Sequence, residues 1–208
     1  MALQKLKERY WAARMELWEW NRYFTFMIPG LVGRSWRARW LKKNLGSCGD
    51  SPKIAPGVWI ADPKKLHFGN DVGMSRNVFI TAGGGIWLHD HISIGPDCMI
   101  WSVNHNFDNP DLPVREQGWE YKPVVIEEDV WLGACCIIKP GVTIGRGAII
   151  SAGTILSKSV PAMSIVAGNP GRVVGWRKKP EEQGAPPGSE GSAGSADKAP
   201  EAKSESAT

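Results

Sequence analysis

The sequence predicts an all-β fold: a parallel β-helix wound from six-residue repeats, with a helical cap at its N-terminus and a disordered C-terminal tail. Three observations carry this prediction. Aliphatic residues recur six apart at Ile126, Leu132, Ile138, Ile144, Ile150 and Leu156. A second set of mostly smaller residues keeps the same period at Val130, Cys136, Val142, Ala148, Thr154 and Val160, with glycines between the two sets. Residues 1–45 break the pattern: they hold ten Lys/Arg against three acids, and five of the eleven tryptophans.

A period of six places successive members about 240° apart on a helix, so no helical face collects them. A flat strand would alternate at every second residue, and here glycine, charge and proline fill the gaps. A short fixed period of this kind marks a coil of short strands and turns, with one aliphatic side chain per side pointing inward. The register extends backwards through Ile54 and Ile60, then Phe68, Met74 and Ile80, then Leu88, Ile94 and Ile100, with a two-residue slip between groups. Their partners are Val58, Val72, Val78, Ile92 and Cys98. The repeat therefore begins near residue 53, and its one long interruption spans residues 102–124.

In chain order, residues 1–50 form the basic, Trp-rich helical segment. Leu6, Tyr10, Ala13, Leu17, Trp20 and Phe24 step by three and four onto one helical face. Pro29 and Gly30 end that helix, and a second is expected over 35–44, carrying Trp36, Trp40 and Leu41 among four cations. Two readings stand: a cap over the open end of the β-helix, or a cap that also touches a membrane or lipid-linked substrate. Only charge favours nucleic acid, so none is expected as a partner.

Residues 51–177 form the β-helix domain. Within it, Gly83-Gly84-Gly85 lacks a following GK[ST] and reads as a tight corner rather than a phosphate loop. His89 and His91 flank an expected exposed corner. The interruption, residues 102–124, holds His105, Arg115 and four acids, donors and acceptors suited to a polyhydroxyl ligand. Residues 161–177 should turn away from the coil into a strand or short helix. Residues 178–208 contain no aromatic or large aliphatic side chain and are expected to be disordered.

Residues 1–20 lack an uninterrupted apolar core, so no cleavable signal peptide is expected. The four cysteines include no CxxC; Cys98 and Cys136 fall at inward positions, and adjacent Cys135 and Cys136 should point to opposite sides of a strand. A reducing, cytoplasmic location follows, peripheral on the inner face of a membrane if the cap touches lipid.

The segments IGPDCMIWSVNHNFDNP and KPVVIEEDVWLGACCIIKPGVTIGRGAIISAGTILSKSVPAMSIVAGNPGRVV resemble the hexapeptide-repeat acyltransferases. They are most similar to the maltose and galactoside O-acetyltransferases and to the O-acetyltransferases of polysaccharide biosynthesis. The resemblance covers roughly residues 53–177 and implies a left-handed parallel β-helix, a homotrimer with sites between neighbouring subunits, and acetyl-CoA as co-substrate with no metal required. It places His105 as the catalytic base. It puts Trp131 and Ala134 near the pantetheine and thioester, and Ala152 against the pantetheine arm. Ser157, Lys158 and Arg172 match the residues that follow in relatives, with Arg172 near the nucleotide phosphates. For the acceptor, Asn77 and Glu120 are the candidates; Thr81 stands where relatives carry an Asp, which departs from the simple maltose enzymes. The expected activity is O-acetylation of a sugar, polysaccharide or lipid-linked glycan precursor. A γ-type carbonic anhydrase binding zinc through His89, His91 and His105, and a catalytically idle β-helix scaffold, are the alternatives.

Overall fold

The computed structural model describes residues 2–179. Short strands of two to four residues wind into three parallel faces, because each six-residue repeat offers only a few extended residues before a turn. Face 1 stacks Ser47–Cys48, Leu66–Phe68, Ile86–Leu88, Val124–Ile126 and Thr143–Ile144. Face 2 stacks Lys53–Ile54, Gly73–Met74, Ser93–Ile94, Trp131–Leu132, Ile149–Ile150 and Ser164–Ala167; Arg172–Trp176 then adds antiparallel. Face 3 stacks Trp59–Ala61, Phe79–Thr81, Met99–Trp101, Ile137–Ile138 and Ile155–Leu156.

Strict register places like residues over like. On face 3, Ile60, Ile80, Ile100, Ile138 and Leu156 form one column, none more than 2% exposed. Every aliphatic residue of the six-residue series is buried, as the repeat predicts. The second series is buried through Thr154, and Val160 packs partly buried against it. Cys98 and Cys136 are buried, whereas Cys135 is exposed, so the two adjacent thiols do point to opposite sides of the wall. Hydrogen bonding with Cys136, then burial, pushes the Cys98 thiol upward and keeps it protonated.

The corners use left-handed backbone. Between faces 1 and 2 lie Ser51, Asp71, His91 and Asp129, at φ 55° to 58°. Between faces 2 and 3 lie Asn77, Asp97 and Cys135, in step with Gly57 and Gly153. Asn and Asp tolerate this region because their short side chains bond locally. The Asn70 backbone N–H and side-chain amide hold the Asp90 carboxyl below its usual value, and Lys53, then His91, do the same for Asp71. His91 thus sits on an exposed corner, and Gly84 is a tight one: a Cβ there would meet the Ser102 carbonyl.

Two helices, α1 (Ala2–Met27) and α2 (Gly30–Asn44), precede the coil. α2 begins five residues earlier than the sequence suggested, because Pro29 takes the extended N-cap conformation directly before it. The apolar stripe of α1 does not meet the coil: Leu6, Tyr10, Leu17, Trp20 and Phe24 are all exposed. Arg22, Thr25 and Phe26 are buried instead. Edge chemistry selects this face. The Arg22 guanidinium donates to the Ile60 carbonyl at 2.9 Å, and Arg37 of α2 donates to the Ile54 carbonyl at 2.8 Å. These carbonyls belong to the first strands of faces 3 and 2, whose outer edge has no strand beyond it. Face 1 instead gains the extra strand Ser47–Cys48.

At the far end, residues 161–177 do not simply leave the coil. Ser164–Ala167 extends face 2, and only then does Arg172–Trp176 return antiparallel. The tail expected to be disordered lies outside the described residues apart from its first two.

Candidate active site

Where the repeat breaks, the chain leaves face 3 through Ser102. Its buried hydroxyl donates to the Thr81 carbonyl at 3.1 Å and accepts the Gly84 N–H at 2.9 Å. The interruption is a structured arm. Val103–His105 pairs antiparallel with Trp119–Tyr121, setting His105 opposite Trp119 and Asn104 opposite Glu120. The intervening loop ties itself together, with the Gln117 side-chain amide donating to the carbonyls of Asn109 (2.8 Å) and Leu112 (2.9 Å).

His105 is half-buried. Its ring centroid lies 3.7 Å from that of Trp119, with the planes tilted by 33°. Its Nδ1 is buried and has no hydrogen-bond partner among the described residues. Glu120 pairs with Lys122 at 2.7 Å. Lys65, from the same corner two coils further toward the N-terminus, donates to the Gly83 carbonyl at 2.8 Å and lies 5.6 Å from the Tyr121 ring centre. The base of the arm therefore carries the His105 imidazole, the Trp119 indole and the Glu120–Lys122 ion pair on or beside a short two-stranded ribbon, and Arg115 and Glu116 pair at 3.8 Å in its loop. An imidazole so held has the chemistry of a general base, able to take a proton from a hydroxyl and hand it on.

The other candidates fall elsewhere. Ser157 and Lys158 are exposed at the corner between faces 3 and 1, the corner from which the arm grows. Trp131 is 54% exposed on face 2. Ala134 and Ala152 lie on adjacent coils at the corner between faces 2 and 3, where the Ala134 carbonyl accepts the Gly153 N–H at 2.8 Å. The coils touch closely there, since a Cβ on Gly133 would come within 2.6 Å of the Ala152 nitrogen. Arg172 is exposed at the start of the antiparallel strand. Asn77 is at that same corner between faces 2 and 3, donating from its side-chain amide to Asp97 at 3.1 Å. A single chain thus brings His105, Glu120, Ser157 and Lys158 to one corner, and Asn77, Trp131, Ala134 and Ala152 to another face and corner.

Trp119 was not among the sequence candidates. Its signal is the alternation in Trp-Glu-Tyr, which reads as a strand once His105 is given a partner strand. Among the described residues, no group of three or more His, Cys, Asp or Glu side chains is placed to hold a metal ion.

A family model described as "Bacterial transferase hexapeptide (six repeats)" matches residues 123–158. An inferred acetyltransferase of Saccharomyces cerevisiae is 31% identical over 135 residues, 64% of this chain and 67% of that protein. An inferred colanic acid biosynthesis acetyltransferase of Escherichia coli is 28% identical over 172 residues, 83% of this chain and 87% of that protein. Among solved structures, a galactoside acetyltransferase in complex with coenzyme A superposes with a TM-score of 0.68 at 27% identity, covering 75% of this chain and 76% of that one. Several curated relatives are matched over only 62–67% of their own length, so that correspondence lies chiefly in part of each protein. Residue pattern and wound backbone are shared alike, and the chain belongs to the hexapeptide-repeat acetyltransferases, a family of left-handed parallel β-helices.

Proposed function

We propose that this acetyltransferase moves the acetyl group of acetyl-CoA to a hydroxyl of a sugar or of a lipid-linked or polymeric glycan, with His105 as general base. The observation that carries the reading is His105 itself, the one imidazole on the arm, stacked on Trp119 and beside the Glu120–Lys122 pair. His105 takes the acceptor hydroxyl proton as that oxygen attacks the thioester carbonyl. The tetrahedral adduct then expels the CoA thiolate, and the imidazolium returns the proton to it. Trp131, Ala134 and Ala152 suit the pantetheine arm, because an exposed indole and small side chains offer it apolar surface. Ser157, Lys158 and Arg172 suit its phosphates. Asn77 and Glu120 remain the acceptor candidates.

These residues lie at two corners of one prism, so they combine into one site only when prisms stand side by side. A homotrimer with three sites between neighbours meets that requirement. The relatives named for galactoside and colanic acid chemistry support a sugar hydroxyl as the acceptor. The basic, aromatic cap supports a peripheral, cytoplasmic-face membrane contact.

Calorimetry with acetyl-CoA on wild type and Arg172→Ala, with zinc assayed on the same sample, tests the proposal. Binding that weakens in the variant supports it. Stoichiometric zinc without CoA binding points to the anhydrase, and neither ligand leaves a scaffold.

A further inference from the structure

α1 and α2 diverge around an open cleft of about 480 Å³ that no part of the proposed reaction uses. Trp18 and Asn21 line it from α1, and Trp36, Arg39, Lys43 and Asn44 from α2. Arg39 and Lys43 are exposed, and neither side chain enters an ion pair among the described residues. By contrast, Lys42 on the next sector of α2 is paired with Asp50 at 3.0 Å, and the hydrogen bond it donates to that carboxylate holds its pKa up. The cleft thus keeps two cations without counter-ions between indoles.

Beside it runs the unpartnered stripe of α1. Tyr10, Leu17 and Phe24 are 58%, 70% and 55% exposed. On the helix they lie roughly 70° around from Trp18, Asn21 and Thr25, so cleft and stripe share one side of α1. Charge identifies what covers them. Residues 1–45 carry ten cations against three acids, while the whole chain is only +4, so the rest of the chain is net negative. The excess positive charge is confined to the segment that also exposes the aromatic residues. An indole-rich apolar stripe flanked by unpaired cations matches an anionic lipid surface, where phosphates lie just above the acyl layer.

We propose that the cleft between α1 and α2 binds the phosphate of an anionic lipid headgroup, while the α1 stripe enters the apolar layer beneath. Arg39 offers a planar fork and Lys43 a point charge to the phosphate oxygens. The inference rests on the reading of residues 1–45 as a membrane-facing cap and gives that contact a specific site. The cleft also lies on the same side as the arm. Lys64 donates to the Lys43 carbonyl at 3.3 Å, and its neighbour Lys65 reaches Gly83 and Tyr121. The corner that carries these lysines is two coils from the one that carries His105, about 10 Å along the prism axis. A lipid-borne acceptor held at the cleft would therefore be presented on the side of the catalytic arm.

The test is co-sedimentation of the full chain with phosphatidylcholine vesicles, with and without phosphatidylglycerol. The comparison proteins are R39E/K43E and, as a charge-matched control distant from the cleft, K5E/R9E. Wild type should bind only the vesicles containing phosphatidylglycerol. R39E/K43E should lose about tenfold or more in vesicle affinity, and K5E/R9E clearly less. Inorganic pyrophosphate should displace wild type more than sodium chloride of equal ionic strength. Equal binding to both vesicle types, equal losses in the two variants, or displacement by salt alone would each overturn the proposal. Acetyl-CoA affinity measured on the same samples separates this from the acetyltransferase reading: if it persists while vesicle binding does not depend on the cleft, only this inference falls.

Discussion

The imidazole of His105 and the indole of Trp119 lie in tilted contact across the base of the arm, 3.7 Å between ring centres and 33° between planes. The indole covers one face of the ring, and Nδ1 is buried without a partner among the described residues. Trp119 therefore fixes where the base points without setting its tautomer. Trp119→Ala should lower kcat, and Trp119→Phe should recover most of the loss. Acetyl-CoA affinity should remain, which calorimetry on both variants checks.

His105→Ala should lower the transfer rate by about 10²- to 10⁴-fold, the usual contribution of a positioned general base. Its melting temperature should stay close to wild type, because the ring lies on the arm and not in the stacked column. A rate near wild type would place the base elsewhere.

Gly133→Ala tests how tightly the coils meet beside the proposed pantetheine surface. The added methyl would approach the Ala152 backbone nitrogen to 2.6 Å, and backbone cannot rotate aside as a side chain does. Overpacking of this kind costs about 1–3 kcal/mol. Denaturant melts should show the loss, and acetyl-CoA should bind more weakly because the coil carrying Ala152 is displaced.

Arg37 is 2% exposed and donates to the carbonyls of Ile54, Thr25 and Ile28. Arg37→Met retains the bulk of the stem and leaves those carbonyls without their donor. A loss of about 3 kcal/mol is expected, since an unsatisfied buried polar group costs about 1–3 kcal/mol. Chemical denaturation of the variant measures it, and limited proteolysis should cut first between α2 and the first coil.

Asp71 and Asp90 titrate below the ordinary carboxylate value, Asp71 through Lys53 and then His91, Asp90 through the Asn70 backbone and side-chain amides. A carboxyl with a depressed folded-state pKa stabilises the fold above its unfolded pKa of about 3.8 and loses that contribution as pH falls through the folded value. Asp90→Asn should therefore melt lower than wild type at pH 7, and the gap should close as the pH falls below the ordinary carboxylate range and through the depressed folded-state value. Thermal scans across that window check the sign.

The coil was legible because its rule is local and repeated. Ile138 sits between Ile100 and Leu156 in the same environment that each of them has, so one pattern reports on all. His105 was legible through the interruption around it. Trp119 was missed because a two-stranded arm has no periodic neighbours to reveal a pairing across thirteen intervening residues. The face by which α1 meets the coil was not legible for a different reason: helical spacing finds the apolar stripe, but the helices are seated by Arg22 of α1 and Arg37 of α2 meeting open carbonyls of the coil. Asn77 illustrates the limit of motif position, since its amide is engaged in a corner ladder with Asp97.

A stack of parallel coils is by geometry a short piece of a fibre, and each bare end is a template for the next molecule. Here Arg22 and Arg37 occupy carbonyls at the first coil. At the last coil the Gly171 N–H takes the Ile155 carbonyl, and Arg172–Trp176 runs against the direction of the stack. Head-to-tail pairing is thereby disfavoured at the first coil and along face 2 at the last, which leaves the flanks of the prism as the open surfaces.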